Sequence, residues 1–237
     1  MNQGKPDFRA VLVTRPAHQA AALMTALKLR GYAGIAAPVL EMHPTDLAIP
    51  DGAFDALVFT SANAVTVFAA RDARREIDVF AVGSATAGAA RKAQFARVIS
   101  GEGGAVDLAG IMRERLAAGS RVLHLSGRDV AAELAPLLAE AGIGVTRVAL
   151  YAMEPLAALP VEAVDAVARG GSVLLHSVRS ASAFGALAGD LSRMTAICQS
   201  AAIAEAARPF GFRTVLTSAA PSEAAMLDCL EAVKGGA

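Results

Sequence analysis

The sequence predicts an α/β protein in which helices cover parallel sheets and the chain forms two similar lobes. Short apolar runs alternate with Ala- and Leu-rich stretches that have helical spacing, a pattern typical of parallel sheets covered on both faces. The same order of runs occurs twice within the 237 residues. This length fits one large domain or two small ones, so two copies of one unit predict two lobes with a cleft between them.

Each predicted strand is a short apolar run that is followed by Ser, Thr, Gly or Pro. The clearest runs are residues 10–13, 56–59, 79–82, 121–125, 172–175 and 214–216. A helix is predicted after each turn; in the first one, Ala20, Leu23, Met24 and Leu27 lie close to one face. In open parallel sheets ligands bind at the carboxyl ends of the strands, so the turns after these runs are the candidate site.

The duplication is visible when the chain is compared with itself. At an offset of 111 residues, Gly31, Met42 and Pro44 meet Gly142, Met153 and Pro155. At an offset of 116, Ser61 and Phe68 meet Ser177 and Phe184, and at 117, Arg91 and Phe95 meet Arg208 and Phe212. The slow drift is typical of loop insertions, so each copy reads as strand, helix, strand, connector and three further strand-helix pairs.

Composition and charge exclude several classes of partner. Lys and Arg together number 22, as do Asp and Glu, so the chain lacks the basic excess of a nucleic-acid-binding protein. We find no signal peptide and no apolar run long enough to span a bilayer. The two cysteines, Cys198 and Cys229, have no close spacing, which fits a reducing compartment. We therefore expect a cytoplasmic protein with no nucleic-acid or membrane partner.

Nearly every turn after a predicted strand offers a hydroxyl or a glycine just before a helix. These turns contain Thr14 and Arg15, Ser61, Ser84 and Thr86, Ser177, and Ser200. Ser and Thr cap helices whatever the function, so capping explains any single turn. Many helix N-termini directed at one cleft, with free N–H groups and positive dipole ends, predict a ligand with several carboxylates.

The usual motifs of cofactor and metal chemistry are missing from the sequence. No G-x-G-x-x-G follows the first strand, and neither a Walker motif nor a G-x-S-x-G elbow occurs. The four histidines lack metal-ligand spacing, so we expect no metal and no cofactor. Tyr151 follows the run 148–150 and enters the connector, where the first copy has Leu40. Either a functional phenol or a strand-end tyrosine packed between the lobes explains this difference.

Several stretches, in order along essentially the whole chain, resemble uroporphyrinogen-III synthase. They are Thr-Arg-Pro at 14–16, Gly31, Pro38 with Leu40, Phe-Thr-Ser-Ala-Asn at 59–63, Val-Gly-Ser-Ala-Thr-Ala at 82–87, and Leu-Tyr at 150–151. The resemblance implies two flavodoxin-like domains joined by a two-stranded linker, with an internal duplication. It places an outer domain at 1–37 plus 154–237, an inner domain at 44–147, and linker strands at 38–43 and 148–153.

The resemblance also implies an activity. The family is a cofactor-free hydro-lyase that removes water from hydroxymethylbilane, inverts ring D and closes the macrocycle to uroporphyrinogen III. This substrate is a linear tetrapyrrole with eight carboxylates, so the work is largely positional. The implied protein is a cytoplasmic monomer of haem biosynthesis that receives its substrate by transient hand-over from porphobilinogen deaminase.

Site residues follow from the same resemblance. Tyr151 matches the family tyrosine proposed to help the hydroxyl leave, and Thr86 matches a threonine at the cleft. The other candidate substrate-binding residues are Thr14, Arg15, Ser61, Ser84, Ser177 and Ser200. In the second copy Cys198, Ser200 and Ile203 depart from the family pattern Ile-Gly-Pro-x-Thr, and His176 replaces a threonine.

Two alternatives belong to other functional classes. One is a two-lobed cytoplasmic binding protein that closes on a small polyanion without catalysis. The other is a degenerate family member that serves as an assembly partner, which the departures in the second copy leave open.

Overall fold

The computed structural model describes residues 10–130 and 132–235, and the chain divides into two compact units. One unit combines the chain up to Glu41 with the chain from Glu154 onwards, and we call it the discontinuous unit. The other runs from Met42 to Met153, and we call it the continuous unit.

Strands and helices alternate along the described residues, as the apolar runs predict. The strands are β1 (Ala10–Val13), β2 (Ala33–Ala36), β3 (Leu40–Pro44), β4 (Ala56–Phe59), β5 (Asp78–Val82), β6 (Val98–Gly101), β7 (Arg121–Gly127), β8 (Gly144–Pro155), β9 (Gly171–Leu175), β10 (Met194–Cys198) and β11 (Thr214–Thr217). The helices are α1 (Ala17–Leu29), α2 (Ala62–Arg71), α3 (Gly83–Lys92), α4 (Gly104–Arg115), α5 (Leu134–Ala139), α6 (Val161–Arg169), α7 (Val178–Leu187), α8 (Ala201–Ala207) and α9 (Glu223–Gly235). The α/β class is confirmed.

The discontinuous unit is built on a parallel sheet with the strand order β11-β10-β9-β1-β2. Val11 and Val13 pack in one cluster with residues of α1 and α9, whereas Leu12 packs with residues of α6, α7 and α8. This alternation follows from the two-residue period of a strand. Because both faces are covered, β1 is apolar throughout and all of its residues are buried.

The continuous unit has the strand order β3-β8-β7-β4-β5-β6, and β8, β7, β4, β5 and β6 are parallel. Phe59 of β4 faces α2 and α3, where its ring meets Phe68 edge-on with centroids 5.6 Å apart. Val58 faces the opposite cluster, which contains Leu108 of α4 and Leu138 of α5. Helices therefore cover both faces of this sheet as well.

The two sheets share one topology, assembled from exchanged halves of the two copies. In each sheet, the first two strands of one copy lie side by side and are followed by the last three strands of the other copy. The two orders are β2-β1-β9-β10-β11 and β8-β7-β4-β5-β6, and β3 belongs to the connector of the first copy. This is the flavodoxin-like order 2-1-3-4-5. Strand β7 begins 111 residues after β1, and β10 begins 116 residues after β5, as the offsets in the sequence predict.

The segment around Tyr151 belongs to one long strand. The apolar run alone suggests a strand that closes at Tyr151, whereas the family resemblance suggests a linker strand at 148–153, and β8 extends from Gly144 to Pro155. The backbone N–H of Thr45 donates to the Leu150 carbonyl at 2.9 Å, which helps hold this long strand against the segment that contains β3. Tyr151 therefore lies inside a paired strand, where its backbone is restrained on either side.

Candidate functional site

The continuous unit carries a pocket at the carboxyl ends of its strands. The pocket has a volume of about 180 Å³, and the residues around it include Thr60, Ser61, Gly104, Gly127, Asp129 and Tyr151. Thr60 and Ser61 follow β4, and Gly127 ends β7. Parallel strands end at one edge of their sheet, which is where ligands of this fold class bind.

Tyr151 and Ser61 form the central polar contact of this pocket. The Tyr151 hydroxyl donates a hydrogen bond to Ser61 Oγ at 2.8 Å, and only 9% of Tyr151 is exposed. Ser61 is also the N-cap of α2, because its Oγ accepts from the Asn63 backbone N–H at 3.1 Å. Ser61 therefore caps α2 and also lines the pocket, and substrate binding by Ser61 stays a prediction.

A β-bulge gives Tyr151 its place against β7. Ser126 pairs with Ala149, whereas Gly127 pairs with Tyr151, so the register shifts between Ser126 and Gly127. A Cβ at Gly127 would lie 2.8 Å from Tyr151 Cζ and 3.0 Å from its hydroxyl oxygen. The ring thus rests directly on the glycine, and no larger residue fits beneath it.

Two further candidates of this unit, Ser84 and Thr86, lie in the first turns of α3 after β5. Thr86 is 5% exposed, whereas Ser84 is exposed to solvent. Neither is among the described residues that line the pocket. The structure therefore brings Ser61 and Tyr151 into contact and places Ser84 and Thr86 at the same sheet edge, outside the pocket lining.

The remaining candidates follow strands of the discontinuous unit. Thr14 and Arg15 follow β1, Ser177 follows β9 and is the N-cap of α7, and Ser200 precedes α8. The Thr14 hydroxyl donates to the Leu174 carbonyl at 2.9 Å, and Arg15 forms an ion pair with Glu223. Ser177 shares a capping box with Ser180. Several of these polar groups therefore already have partners within the unit.

The departures from the family pattern in the second copy have structural counterparts. Cys198 is buried at the end of β10, and burial together with the nearby Cys229 raises the pKa of its thiol to about 11. Ile203 packs into the core beneath α8. Burial, and next the Arg15 guanidinium, lower the pKa of His176 to about 4. His176 is therefore neutral at physiological pH, and Cys198 has no thiolate character.

His124 is a buried residue beneath the pocket that sequence reasoning passed over as part of an apolar strand. It is 0% exposed, its Nε2 lies 3.2 Å from Thr60 Oγ1, and its Nδ1 has no hydrogen-bond partner within the described ranges. Burial, and next the positive charge of Arg147, lower the pKa of His124 to about 4. The imidazole is therefore neutral, and it supports Thr60 at the pocket wall.

The shifted His124 predicts that the fold loses stability in acid. Unfolded histidine has a pKa near 6.5, so between pH 6.5 and pH 4 the unfolded chain binds a proton that folded His124 does not. Relative to His124→Gln, the wild-type protein should lose about 2 kcal/mol more unfolding free energy between pH 7.5 and pH 5. Urea unfolding at the two pH values measures this, with His43→Gln as the exposed control. Identical pH dependence of the wild-type and His124→Gln proteins would contradict the prediction.

The pocket also contains residues that sequence reasoning had not selected. Gly127, Asp129 and Thr60 belong to turns after predicted strands, so their position alone could have suggested them. Gly104 begins α4 after the glycine-rich turn 101–104. None of these residues has a motif of its own, and it is the order of the strands in the sheet that brings them together.

The described parts of the chain contain neither a cluster of metal ligands nor a membrane-spanning helix. Within residues 10–130 and 132–235, no group of three or more His, Cys, Asp or Glu side chains could hold a metal ion. Within the same ranges, none of the helices combines the length and the apolar character needed to cross a bilayer.

Comparison with known proteins shows which family the chain matches. A family model described as uroporphyrinogen-III synthase HemD matches residues 21–228. No curated protein sequence matches significantly. The fold is similar to that of uroporphyrinogen-III synthetase from Helicobacter pylori, with a TM-score of 0.69 and 19% identity over 95% of this chain and 99% of that one. For a mutant uroporphyrinogen III synthase from Thermus thermophilus, the TM-score is 0.49 and the identity 16%, over 96% and 99% of the two chains.

At 19% identity, the Helicobacter pylori structure shows a likeness of fold alone. The family match is stronger evidence than a likeness of fold, because it compares sequences and spans most of the chain. The two parallel-dominated sheets of the chain are consistent with it. The chain therefore belongs to the uroporphyrinogen-III synthase family, whose members are enzymes of haem biosynthesis that act on a small-molecule tetrapyrrole.

Proposed function

We propose that the chain is a lyase that converts hydroxymethylbilane to uroporphyrinogen III with loss of water and inversion of ring D. The observation that carries the proposal is the phenol of Tyr151, held 2.8 Å from Ser61 at a pocket in a chain that the family model matches. No cofactor is needed, since the substrate is already primed to lose water and the protein contributes position and proton transfer.

Tyr151 assists the departure of the hydroxyl in this proposal. The bond from the hydroxymethyl carbon to oxygen breaks, the electron pair goes to oxygen, and the phenol donates the proton that completes a water molecule. The pyrrole nitrogen delocalises the positive charge on this carbon until it bonds to the ring D carbon that already carries the methylene bridge from ring C. That older bridge bond then breaks, and its methylene carbon bonds to the free α-carbon of ring D, which inverts the ring. Ring D then loses a proton, which restores the phenol, so the balance is substrate to product plus water.

Ser61 supports this role through its hydroxyl. A serine hydroxyl donates one hydrogen bond and accepts others. Ser61 now accepts from both Tyr151 and the Asn63 backbone N–H. When the phenol turns its hydrogen to the substrate, Ser61 can turn its own hydrogen to the phenol oxygen and so stabilise the negative charge that develops there.

The pocket is suited to one end of the substrate. Its volume of about 180 Å³ lies below the roughly 300 Å³ at which pockets for whole small molecules begin. The eight carboxylates must therefore be held by other groups. We assign these to Ser61, Ser84 and Thr86 of the continuous unit and to Thr14, Arg15, Ser177 and Ser200 of the discontinuous unit, where helix N-termini and one guanidinium favour anions. Arg15 would exchange Glu223 for a substrate carboxylate.

The proposal also covers the location of the enzyme, its oligomeric state, its substrate supply and its division into domains. We place the enzyme in the cytoplasm as a monomer that receives hydroxymethylbilane from porphobilinogen deaminase by transient hand-over, because the free substrate cyclises spontaneously to the wrong isomer. We assign residues 1–37 and 154–237 to an outer domain and 44–147 to an inner domain, with 38–43 and 148–153 as linker strands. The passages between the units at Glu41 and Met153 support this division.

An isomer assay tests the proposed function. Hydroxymethylbilane is generated in situ from porphobilinogen with its deaminase, the protein is added, and the oxidised porphyrins are separated by chromatography. We expect isomer III to replace isomer I as the main product, because the enzyme-bound chain closes with ring D inverted. Isomer I alone from a folded protein would overturn the proposal and favour a binding protein without catalysis. Heat-denatured protein is the control for spontaneous closure.

A further inference from the structure

Arg147 is the residue of β8 that holds the end of β7. Its guanidinium donates from Nε to Ser126 Oγ at 3.0 Å and from Nη2 to the carbonyls of Gly127 at 2.9 Å and Arg128 at 2.6 Å. Nη1 lies 3.3 Å from Glu133. One planar cation therefore binds a hydroxyl, two successive carbonyls and a carboxylate, a fixed fork geometry that Arg provides and Lys does not.

These contacts fall on the β7 side of a β-bulge whose extra residue is Leu150 of β8, directly before Tyr151. The register shifts between Ser126 and Gly127, and a bulge interrupts the regular ladder of backbone hydrogen bonds. The carbonyl of Gly127 accepts from Arg147 and also from the buried Ser126 hydroxyl, at 2.9 Å. Arg147 thus supplies donors to the carbonyls of Gly127 and Arg128, which lie beside the bulge, and so ties the end of β7 to β8.

Tyr151 depends on this bulge through two contacts. Its ring lies against Gly127, where a Cβ would come within 2.8 Å of Cζ. Its backbone carbonyl accepts from the Arg128 N–H at 2.8 Å. Gly127 and Arg128 are the same residues whose carbonyls Arg147 binds. A path of direct contacts therefore runs from the guanidinium through the bulge to the phenol.

The internal duplication supplies a comparison within one molecule. At the offset of 111 residues, Arg147, Ser126 and Tyr151 correspond to Ala36, Arg15 and Leu40. The discontinuous unit builds the same strand order without this polar set. This strand order therefore forms without such a guanidinium. Arg147 occurs only in the copy that also carries Tyr151.

We infer that Arg147 is a positioning residue for the reaction, which fixes the Gly127–Arg128 end of β7 beside the bulge and so holds the Tyr151 hydroxyl on Ser61. It acts through the backbone of β7 and needs no contact with the substrate. The effect on turnover rests on the proposed function. The effect on the tyrosine itself is a property of the folded protein and can be measured without substrate.

The two tyrosines and the absence of Trp make Tyr151 directly observable. With 3-fluorotyrosine incorporated in a Tyr32→Phe background, the ¹⁹F NMR spectrum reports Tyr151 alone. We expect one narrow resonance, which shifts and broadens in Arg147→Met because the ring gains alternative positions. In the isomer assay, kcat should fall by about tenfold or more with KM within about threefold, since misplacement affects the reacting geometry more than binding.

Arg75→Met is the matched control. Arg75 is also half-buried in the continuous unit, and it donates to the carbonyls of Ala69, Asp72, Arg74 and Ala93 near the C-terminus of α2, at the opposite end of that helix from Ser61. Its loss should lower stability but leave the fluorine resonance and kcat unchanged. If Arg147→Met does not fold, Arg147→Lys takes its place, and an intermediate shift is expected because one ammonium cannot bind the hydroxyl and both carbonyls.

Three results separate the outcomes. An unchanged resonance in the folded Arg147 variants would overturn the inference, as would a changed resonance with wild-type kcat. Lack of isomer III from the wild-type protein would contradict the proposed function instead. In that case the fluorine spectra alone still decide whether Arg147 orders Tyr151.

Discussion

Replacing Tyr151 with Phe should lower kcat for uroporphyrinogen III formation by about 10²-fold or more, with little change in KM, because general acid assistance typically contributes factors of this size. The variant keeps the ring on Gly127 and removes only the oxygen that donates to Ser61. The measurement is the initial rate of isomer III formation at several substrate concentrations, corrected for spontaneous closure to isomer I.

Tyr32→Phe is the control for the loss of a buried phenol oxygen. Tyr32 is 4% exposed and lies in the discontinuous unit. Tyr151→Phe should lose about 1 kcal/mol of unfolding free energy, the usual cost of one hydrogen bond, and Tyr32→Phe should lose no more. Only Tyr151→Phe should lose turnover. A wild-type kcat in Tyr151→Phe would contradict the role assigned to the phenol, whatever the stability of the variant.

Gly127→Ala should lower kcat by about tenfold or more without removing a functional group, because a displacement of about 1 Å at the reacting centre can cost two orders of magnitude. The new methyl group would lie 2.8 Å from Tyr151 Cζ, closer than carbon atoms can approach, so the ring must shift off residue 127, which displaces the hydroxyl that now donates to Ser61. The phenol remains in the protein but no longer lies where the leaving oxygen is held. Kinetics of isomer III formation and the fluorine resonance of Tyr151 should change together.

Gly144→Ala offers a matched control in the neighbouring strand β8. A Cβ at Gly144 meets its nearest atom, the Ser120 carbonyl oxygen, at 3.8 Å, an ordinary contact. This variant should retain kcat and the Tyr151 resonance. If Gly127→Ala also retains wild-type kcat and the wild-type Tyr151 resonance, the contact between the ring and Gly127 does not position the phenol.

The sequence alone predicts the local elements well, since they depend on short-range patterns. Runs such as residues 10–13 and 56–59 are apolar throughout because both faces of a parallel strand are buried. The offsets of 111 and 116 residues between the copies reappear as the spacing of β1 and β7 and of β5 and β10. Tyr151 also stands out in the sequence, because the duplication sets it against Leu40.

Other features of the site depend on contacts that no local pattern encodes. Thr14 follows a strand, as a ligand-binding turn residue would, yet its hydroxyl donates to the carbonyl of Leu174, 160 residues away. His124 and Arg147 lie within strands whose apolar neighbours dominate the pattern. Their polar roles arise because β7 and β8 pair in the register that places them side by side.

The candidate site thus combines two kinds of information. The sequence by itself determined the α/β class, the duplication, the turns that carry hydroxyls and the choice of Tyr151. Tertiary structure alone decided that Tyr151 meets Ser61 across 90 residues of chain, that a bulge puts Gly127 beneath its ring, and that Arg147 holds the bulge. The physical reason is that strand order and register are set by packing of the whole sheet, and a shift of one residue would turn each of these side chains to the opposite face.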